Sequence, residues 1–168
     1  MLKVLFVCSG NTCRSPMAEW LFNRETAKSN LAFKVEASSA GIATVPGQKA
    51  SEEARQLLTA IGINKIESHS ATLLTKEMIE DSDLVLVMTA DQRRHLLSFY
   101  PHAANKTYLL KEFTDPEEME YDIEDPLTLG HEDYRRVMED IHSCIQKLIF
   151  ILKEEKGGGS ENENSPGQ

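Results

Sequence analysis

No stretch of this 168-residue chain stays apolar long enough to cross a bilayer, and no block of Lys and Arg stands out, so no membrane contact is expected. Acidic residues outnumber basic ones, 27 Asp and Glu against 18 Lys and Arg, for a formal charge of −9. The basic footprint that nucleic acid demands is therefore missing. Cysteine is scarce: Cys8, Cys13 and Cys144 are an odd number and build no secreted disulfide framework, which fits a reducing cytoplasm. The histidines, His69, His95, His102, His131 and His142, lack metal-ligand spacing, so neither metal nor cofactor is expected. Met1–Cys8 looks superficially like the end of a lipoprotein signal, but its apolar run is too short and Val7 is not the small residue such cleavage sites favour. Large apolar side chains are also absent from Gly157 to Gln168, which reads as a disordered tail with a linker-like start. Residues 1–156 are left as a single domain.

What is present suits a globular α/β protein, with 40% hydrophobic residues over a length able to bury a sizeable core. Lys3–Val7 is a short Val- and Leu-rich run ending in small polar residues, the pattern of a buried strand entering a loop. Ser15 followed by Pro16 predicts a helix start, with the serine as N-cap and Met17, Trp20 and Leu21 on the apolar face. A second strand is expected over Lys34–Ser38. Ser51 is placed to cap a helix whose inner face holds Ala54, Leu57, Leu58 and Ile61, stopped by Gly62. Thr75–Asp81 reads as a short helix, Asp83–Met88 as a strand, Asp91–Ser98 as a helix and Thr107–Leu110 as an edge strand. The longest helix runs from about Glu132 to Lys153, with Tyr134, Val137, Met138, Ile141, Ile145, Leu148 and Leu152 at helical spacing and Cys144 on the same face. Strands alternating with helices predict a three-layer open sandwich, a parallel sheet with helices on both faces.

The decisive segment is Cys8-Ser9-Gly10-Asn11-Thr12-Cys13-Arg14-Ser15, a Cys-x5-Arg-Ser pattern between the first strand and the first helix. A loop entering a helix N-terminus can aim successive backbone amides at one point, forming an anion nest that the helix dipole reinforces. Gly10 and Asn11 tolerate the positive φ that a tight curl needs. Arg14 supplies a planar fork matching two oxygens of phosphate or another oxyanion. Cys8 stands at the mouth of that positive nest as a sulfur nucleophile, and Ser15 can donate a hydrogen bond to it. Ser9, Gly10, Asn11, Thr12, Cys13, Arg14 and Ser15 form the expected oxyanion-binding set. A cysteine after a buried strand is more often a packing residue. A Cys-x4-Cys pair is half a zinc site, but no second Cys or His cluster completes four ligands. The conjunction of strand, Cys, Gly-Asn, Arg-Ser-Pro and helix favours catalysis.

Val7-Cys8-Ser9-Gly10-Asn11-Thr12-Cys13-Arg14-Ser15-Pro16-Met17-Ala18-Glu19 resembles the low-molecular-weight protein-tyrosine phosphatase family. Ser39-Ala40-Gly41, Asp83-Leu84-Val85-Leu86-Val87-Met88-Thr89, Leu110-Lys111-Glu112 and Asp125-Pro126 continue the resemblance in order, over roughly residues 1–153. It implies a four-stranded parallel sheet and a cysteine-dependent phosphatase acting on phosphorylated protein through a phosphocysteine. Phosphate would sit at the carboxyl end of the first strand. Asn11 and Ser39, with Ser15, become the hydrogen-bonded support of the loop, Ser38 being the neighbouring alternative to Ser39. Cys13 becomes a redox partner able to trap oxidised Cys8 as a disulfide, against the plainer reading of a packing thiol. Such a reaction needs a carboxylic acid to protonate the leaving group and then activate water. Asp115-Pro116 and Asp125-Pro126 compete; the family places its acid shortly before the final long helix, which selects Asp125.

Thr12 bears on the substrate. Tyrosine-specific members of the family carry a bulky aliphatic residue there, and the arginine-phosphatase branch carries threonine. A hydroxyl at the lip can bond a polar leaving group or the attacking water. Leu127-Thr128-Leu129-Gly130 departs from both branches, lacking the aromatic residues that tyrosine-specific members carry after Asp-Pro and the Phe and Gly-Gly of arginine-specific ones, although Tyr121 is placed to offer a ring from the other side. Asp115 to Asp125 holds seven acidic residues and no Lys or Arg, which suits a guanidinium if it borders the pocket, or is simply a solvated loop. Phosphoarginine in protein is therefore the expected substrate, with protein phosphotyrosine as the alternative. An arsenate reductase of this fold needs relay cysteines after the third strand, and Thr89 to Tyr108 holds none. A silent phosphate-binding module is disfavoured because Cys8, Arg14 and Asp125 are all present.

Overall fold

Apolar runs become the central strands and shorter or more polar ones the edges, and the longer segments between them become the crossovers that parallel strands require. The computed structural model describes residues 1–126 and 131–157. In it β1 (Leu2–Cys8), β2 (Val35–Gly41), β3 (Leu84–Val87) and β4 (Thr107–Leu109) form one all-parallel sheet in the order β2-β1-β3-β4. The helices are α1 (Arg14–Lys28), α2 (Glu52–Ala60), α3 (Lys76–Asp81), α4 (Ala90–Phe99), α5 (Leu110–Thr114) and α6 (His131–Gly157). None among the described residues is long and apolar enough to cross a membrane.

Alternation along β1 decides the layers. Val4, Phe6 and Cys8 face the side of α1, α2 and α6, where Phe6 meets Phe22 edge-on at 5.7 Å. Leu5 and Val7 face α3 and α4, packing with Ile79 and Leu96. A central strand buried on both faces reads as one unbroken apolar run. The chain leaves β1 for β2 on one side and returns to β3 on the other. That reversal opens a crevice at the carboxyl ends of β1 and β3, where open sheets bind ligands.

The structure corrects several local expectations. The first helix begins at Arg14, its cap position is Cys13, and no side chain caps it. The Ser15 hydroxyl points into the loop instead, as described below. β2 continues to Gly41, because Ser39 and Ala40 pair with Phe6 and Val7. Leu110 opens α5 rather than closing β4, and 3-10 turns cover Asn64–Ser68 and Pro101–Lys106. Ile61 lies past the end of α2 and is 40% exposed, so it is not a core residue. The caps at Ser51 and Thr75 accept from Ala54 and Met78 amides. α6 extends through Gly157, one residue into the segment read as tail; the rest of that segment and Leu127–Gly130 lie outside the described residues.

Candidate active site

The loop between β1 and α1 is held by its carbonyls. The Cys8, Ser9 and Thr12 oxygens accept from the amides of Ile42 (3.0 Å), Ala43 (2.9 Å) and Ser51 (2.7 Å). The Gly10 oxygen accepts from the Thr44 hydroxyl, the Asn11 oxygen from His69 Nε2 at 2.7 Å, and the Cys13 oxygen from the Met17 amide at 3.1 Å. In a planar trans peptide the C=O and the next N–H point in opposite directions. With the carbonyls of residues 8–12 held by the scaffold and that of Cys13 by the first turn of α1, the amides that follow them face the opposite way. Amides so turned at a helix start suit an anion.

One residue carries most of the curl. Asn11 has φ +54°, and Gly10 does not share the left-handed conformation that the sequence allowed it. Asn11 Nδ2 donates to Ser15 Oγ (2.8 Å) and Ser39 Oγ (2.9 Å), while its Oδ1 accepts from the Thr72 amide (2.9 Å). Ser15 Oγ lies 2.9 Å from Cys8 Sγ. Because Asn11 occupies an acceptor position on Ser15, the serine proton is free to point at the sulfur. Ser39 in turn donates to Glu19 Oε2 at 2.8 Å. Gly41, opposite Cys8 across the sheet, leaves room for the loop to fold back: a Cβ there would sit 2.8 Å from the Ser9 carbonyl oxygen.

Cys8 is 2% exposed, and Cys13, Arg14 and Ser15 are buried with it. Arg14 Nη1 donates to the Ile123 carbonyl at 2.9 Å, and Nη2 lies 3.8 Å from Asp125 Oδ2. Asp125 is 39% exposed, open to whatever leaves the site. The competing Asp115 lies elsewhere: it pairs with Lys147 at 2.6 Å. Thr12 is half-buried, its hydroxyl close to Gly10 and without a hydrogen-bond partner among the described residues. Burial pushes the Cys13 thiol up to about 12 and the Glu19 carboxyl up to about 7, the latter opposed by the Ser39 hydrogen bond. His69 is lowered by burial, so it bonds Asn11 as a neutral ring with the proton on Nε2.

Glu19, Thr44, Ser51, His69, Thr72 and Gln92 were not singled out by the sequence as loop supports. Their signal is spatial: Thr44, Ser51, His69, Thr72 and Gln92 reach the loop from distant parts of the chain, and Glu19 backs it through Ser39. Gln92 caps α4 with Thr89 and also donates from Nε2 to Ser9 Oγ at 3.1 Å.

A buried sulfur at the mouth of an amide nest, with a guanidinium and a carboxylate beside it, is the architecture of a cysteine phosphatase. The family model for low molecular weight phosphotyrosine protein phosphatase matches residues 3–157, and the chain belongs to that family of hydrolases. Among its relatives is the protein-arginine-phosphatase of Geobacillus stearothermophilus, 34% identical over 92% of this chain and 98% of that one. A low molecular weight protein tyrosine phosphatase from T. tengcongensis has a TM-score of 0.81 at 40% identity, covering 90% of this chain and 99% of that one. A mutant of the YwlE arginine phosphatase with a phosphorylated active-site serine has a TM-score of 0.85 at 31% identity, covering 93% and 99%.

Proposed function

We propose that this phosphatase hydrolyses phosphoarginine in proteins, with Cys8 as nucleophile, Arg14 as oxyanion clamp and Asp125 as proton donor. The observation that carries the mechanism is the outward anchoring of the carbonyls of residues 8–13, which leaves the amides aimed at the place beside Cys8 Sγ. Three phosphoryl oxygens would fill the nest. The Nε–Nη2 edge of Arg14, left over by the Nη1 bond to Ile123, would grip two of them. Sulfur then attacks phosphorus, the S–P bond forms, the P–N bond breaks, and Asp125 gives its proton to the departing guanidine nitrogen. The Asp125 carboxylate next takes a proton from water as the water oxygen attacks phosphorus, breaking S–P and releasing inorganic phosphate. The Ser15 hydroxyl supports the sulfur as leaving group in that step.

Phosphoarginine is favoured by the relatives named protein-arginine-phosphatase and by the identity of Thr12, a half-buried hydroxyl in the loop after Cys8. The acidic run contributes less than its composition promised. Asp115 is paired with Lys147, and Asp122 accepts a backbone amide, so Glu124 is the exposed charge beside Asp125. The test is turnover of phosphoarginine and phosphotyrosine peptides by wild type and Thr12→Ile. The substitution is expected to shift the ratio of kcat/KM toward phosphotyrosine by roughly tenfold, about 1.4 kcal/mol of discrimination. An unchanged ratio removes the case for arginine.

A further inference from the structure

Asp125 is part of a long segment between α5 and α6, and something must hold it beside a loop more than a hundred residues away in sequence. Ile123 carries two of the bonds: its carbonyl accepts from Arg14 Nη1 at 2.9 Å, and its amide donates to the Met88 carbonyl at 2.9 Å. With its side chain also buried in the core, Ile123 fixes one point of the segment. A third bond, one residue earlier, fixes a second point and so sets the segment's direction. The Asp122 Oδ1 accepts from the Ala90 amide, at 2.8 Å, in the first turn of α4. That amide is one of the donors a helix start leaves unpaired, at the positive end of the helix dipole, so a carboxylate is held there firmly. Upstream, Pro116–Glu120 is exposed, and Tyr121 packs against the core and donates to the Pro116 carbonyl at 2.7 Å.

The same turn also grips the other half of the site. Gln92 Oε1 accepts from the Met88 and Thr89 amides at 2.9 and 3.1 Å, and its Nε2 donates to Ser9 of the nucleophile loop. Residues 88–92 thus contact the sulfur-bearing loop through Gln92 and the acid-bearing segment through Asp122 and Ile123. From Asp122 to Asp125 the chain spans at most about 10 Å, so a shift at Asp122 reaches the acid nearly undamped.

We propose that Asp122 is a positioning residue for the proton donor: it pins the acid-bearing segment to the start of α4 and so fixes the reach of Asp125 toward the leaving group. This rests on Asp125 being the acid. Its test is leaving-group dependence, read as kcat/KM for phenyl phosphate, whose leaving group needs a proton, and 2,4-dinitrophenyl phosphate, whose leaving group does not. Asp122→Ala is expected to lower the phenyl rate by roughly 10- to 100-fold, a large part of a general acid's contribution, and the dinitrophenyl rate by no more than about threefold. Asp122→Asn keeps an oxygen acceptor and is expected to stay within about threefold of wild type on both. Asp125→Asn is the reference. If it separates the two substrates but Asp122→Ala lowers both equally, or neither, the pin is overturned and the acid stands. An equal loss accompanied by a lower Tm is the merely structural result and counts against the pin as well. If Asp125→Asn itself fails to separate the substrates, the acid assignment is wrong and the pin falls with it.

Discussion

The loop of residues 8–15, with the proposed nucleophile, and the segment of residues 115–126, with the proposed acid, meet at Arg14 but are anchored in different ways. In the loop the carbonyls of residues 8–13 are all engaged and most side chains are buried. In residues 115–126 the bonds to the rest of the fold come from side chains as well as backbone and from both ends, at Asp115 and at Asp122 and Ile123, while Glu117, Glu118, Met119 and Glu120 between them are exposed. The difference follows from the chemistry. Stabilising charge on a phosphoryl group requires donors already in place, since reorganising them during reaction would cancel the gain. Delivering a proton requires one carboxyl group within reach, still open to solvent and to a departing product.

The sharpest way to test that contrast is to remove the sulfur. Cys8→Ser is expected to cut turnover roughly 10³-fold or more, yet still to be stabilised by phosphate in a thermal melt, because the amide nest does not depend on the sulfur. Loss of phosphate stabilisation along with activity would show that the nest is not preformed. Next in size is Asn11→Gly, which keeps the positive φ but deletes the bonds to Ser15, Ser39 and Thr72. It is expected to cost about 1–3 kcal/mol in urea unfolding, whereas Met119→Ala in the open segment stays within about 0.5 kcal/mol. Equal costs would erase the distinction between the two regions.

A pH experiment probes the loop's foundation. The Glu19 carboxyl, raised by burial to about 7, favours its protonated form in the folded state. The folded chain therefore binds more protons than the unfolded one between the ordinary carboxylate range and about pH 7. Its contribution is fully present below that window and lost as pH rises through it. Glu19→Gln is expected to remove this slope, on the order of 1–3 kcal/mol across the window, and parallel slopes for the two proteins would rule it out. The smallest effect concerns redox trapping. We propose that peroxide-oxidised Cys8 is captured by Cys13, although the buried Cys13 thiol, at about 12, attacks slowly. Dithiothreitol is expected to restore clearly less activity to peroxide-treated Cys13→Ala than to wild type; equal recovery would end the idea.

How much of this was readable in advance depends on sequence distance. The strand-loop-helix around Cys8, the helix cap at Ser51, the short helix ending at Asp81 and the apolar face of α6 lie within windows of a few residues to a few turns, where spacing and residue type settle local geometry. The choice of Asp125 over Asp115 already needed a family resemblance, because two Asp-Pro pairs look alike in isolation. The Ser15 cap failed because a serine before a proline suits a helix start, and nothing local shows that Asn11 and Cys8 claim its hydroxyl.

By itself the sequence determined the alternating elements, the layers they form and the residue types of an anion nest, since each rests on patterns of near neighbours. Only the tertiary structure decided what holds that loop and what places the proposed acid. His69, Thr72, Gln92, Asp122 and Ile123 act on residues far from them along the chain, and such contacts exist only once the sheet has brought its carboxyl ends together. Polar side chains carry no mark of a distant partner, because the same Asp or Gln is equally at home in water.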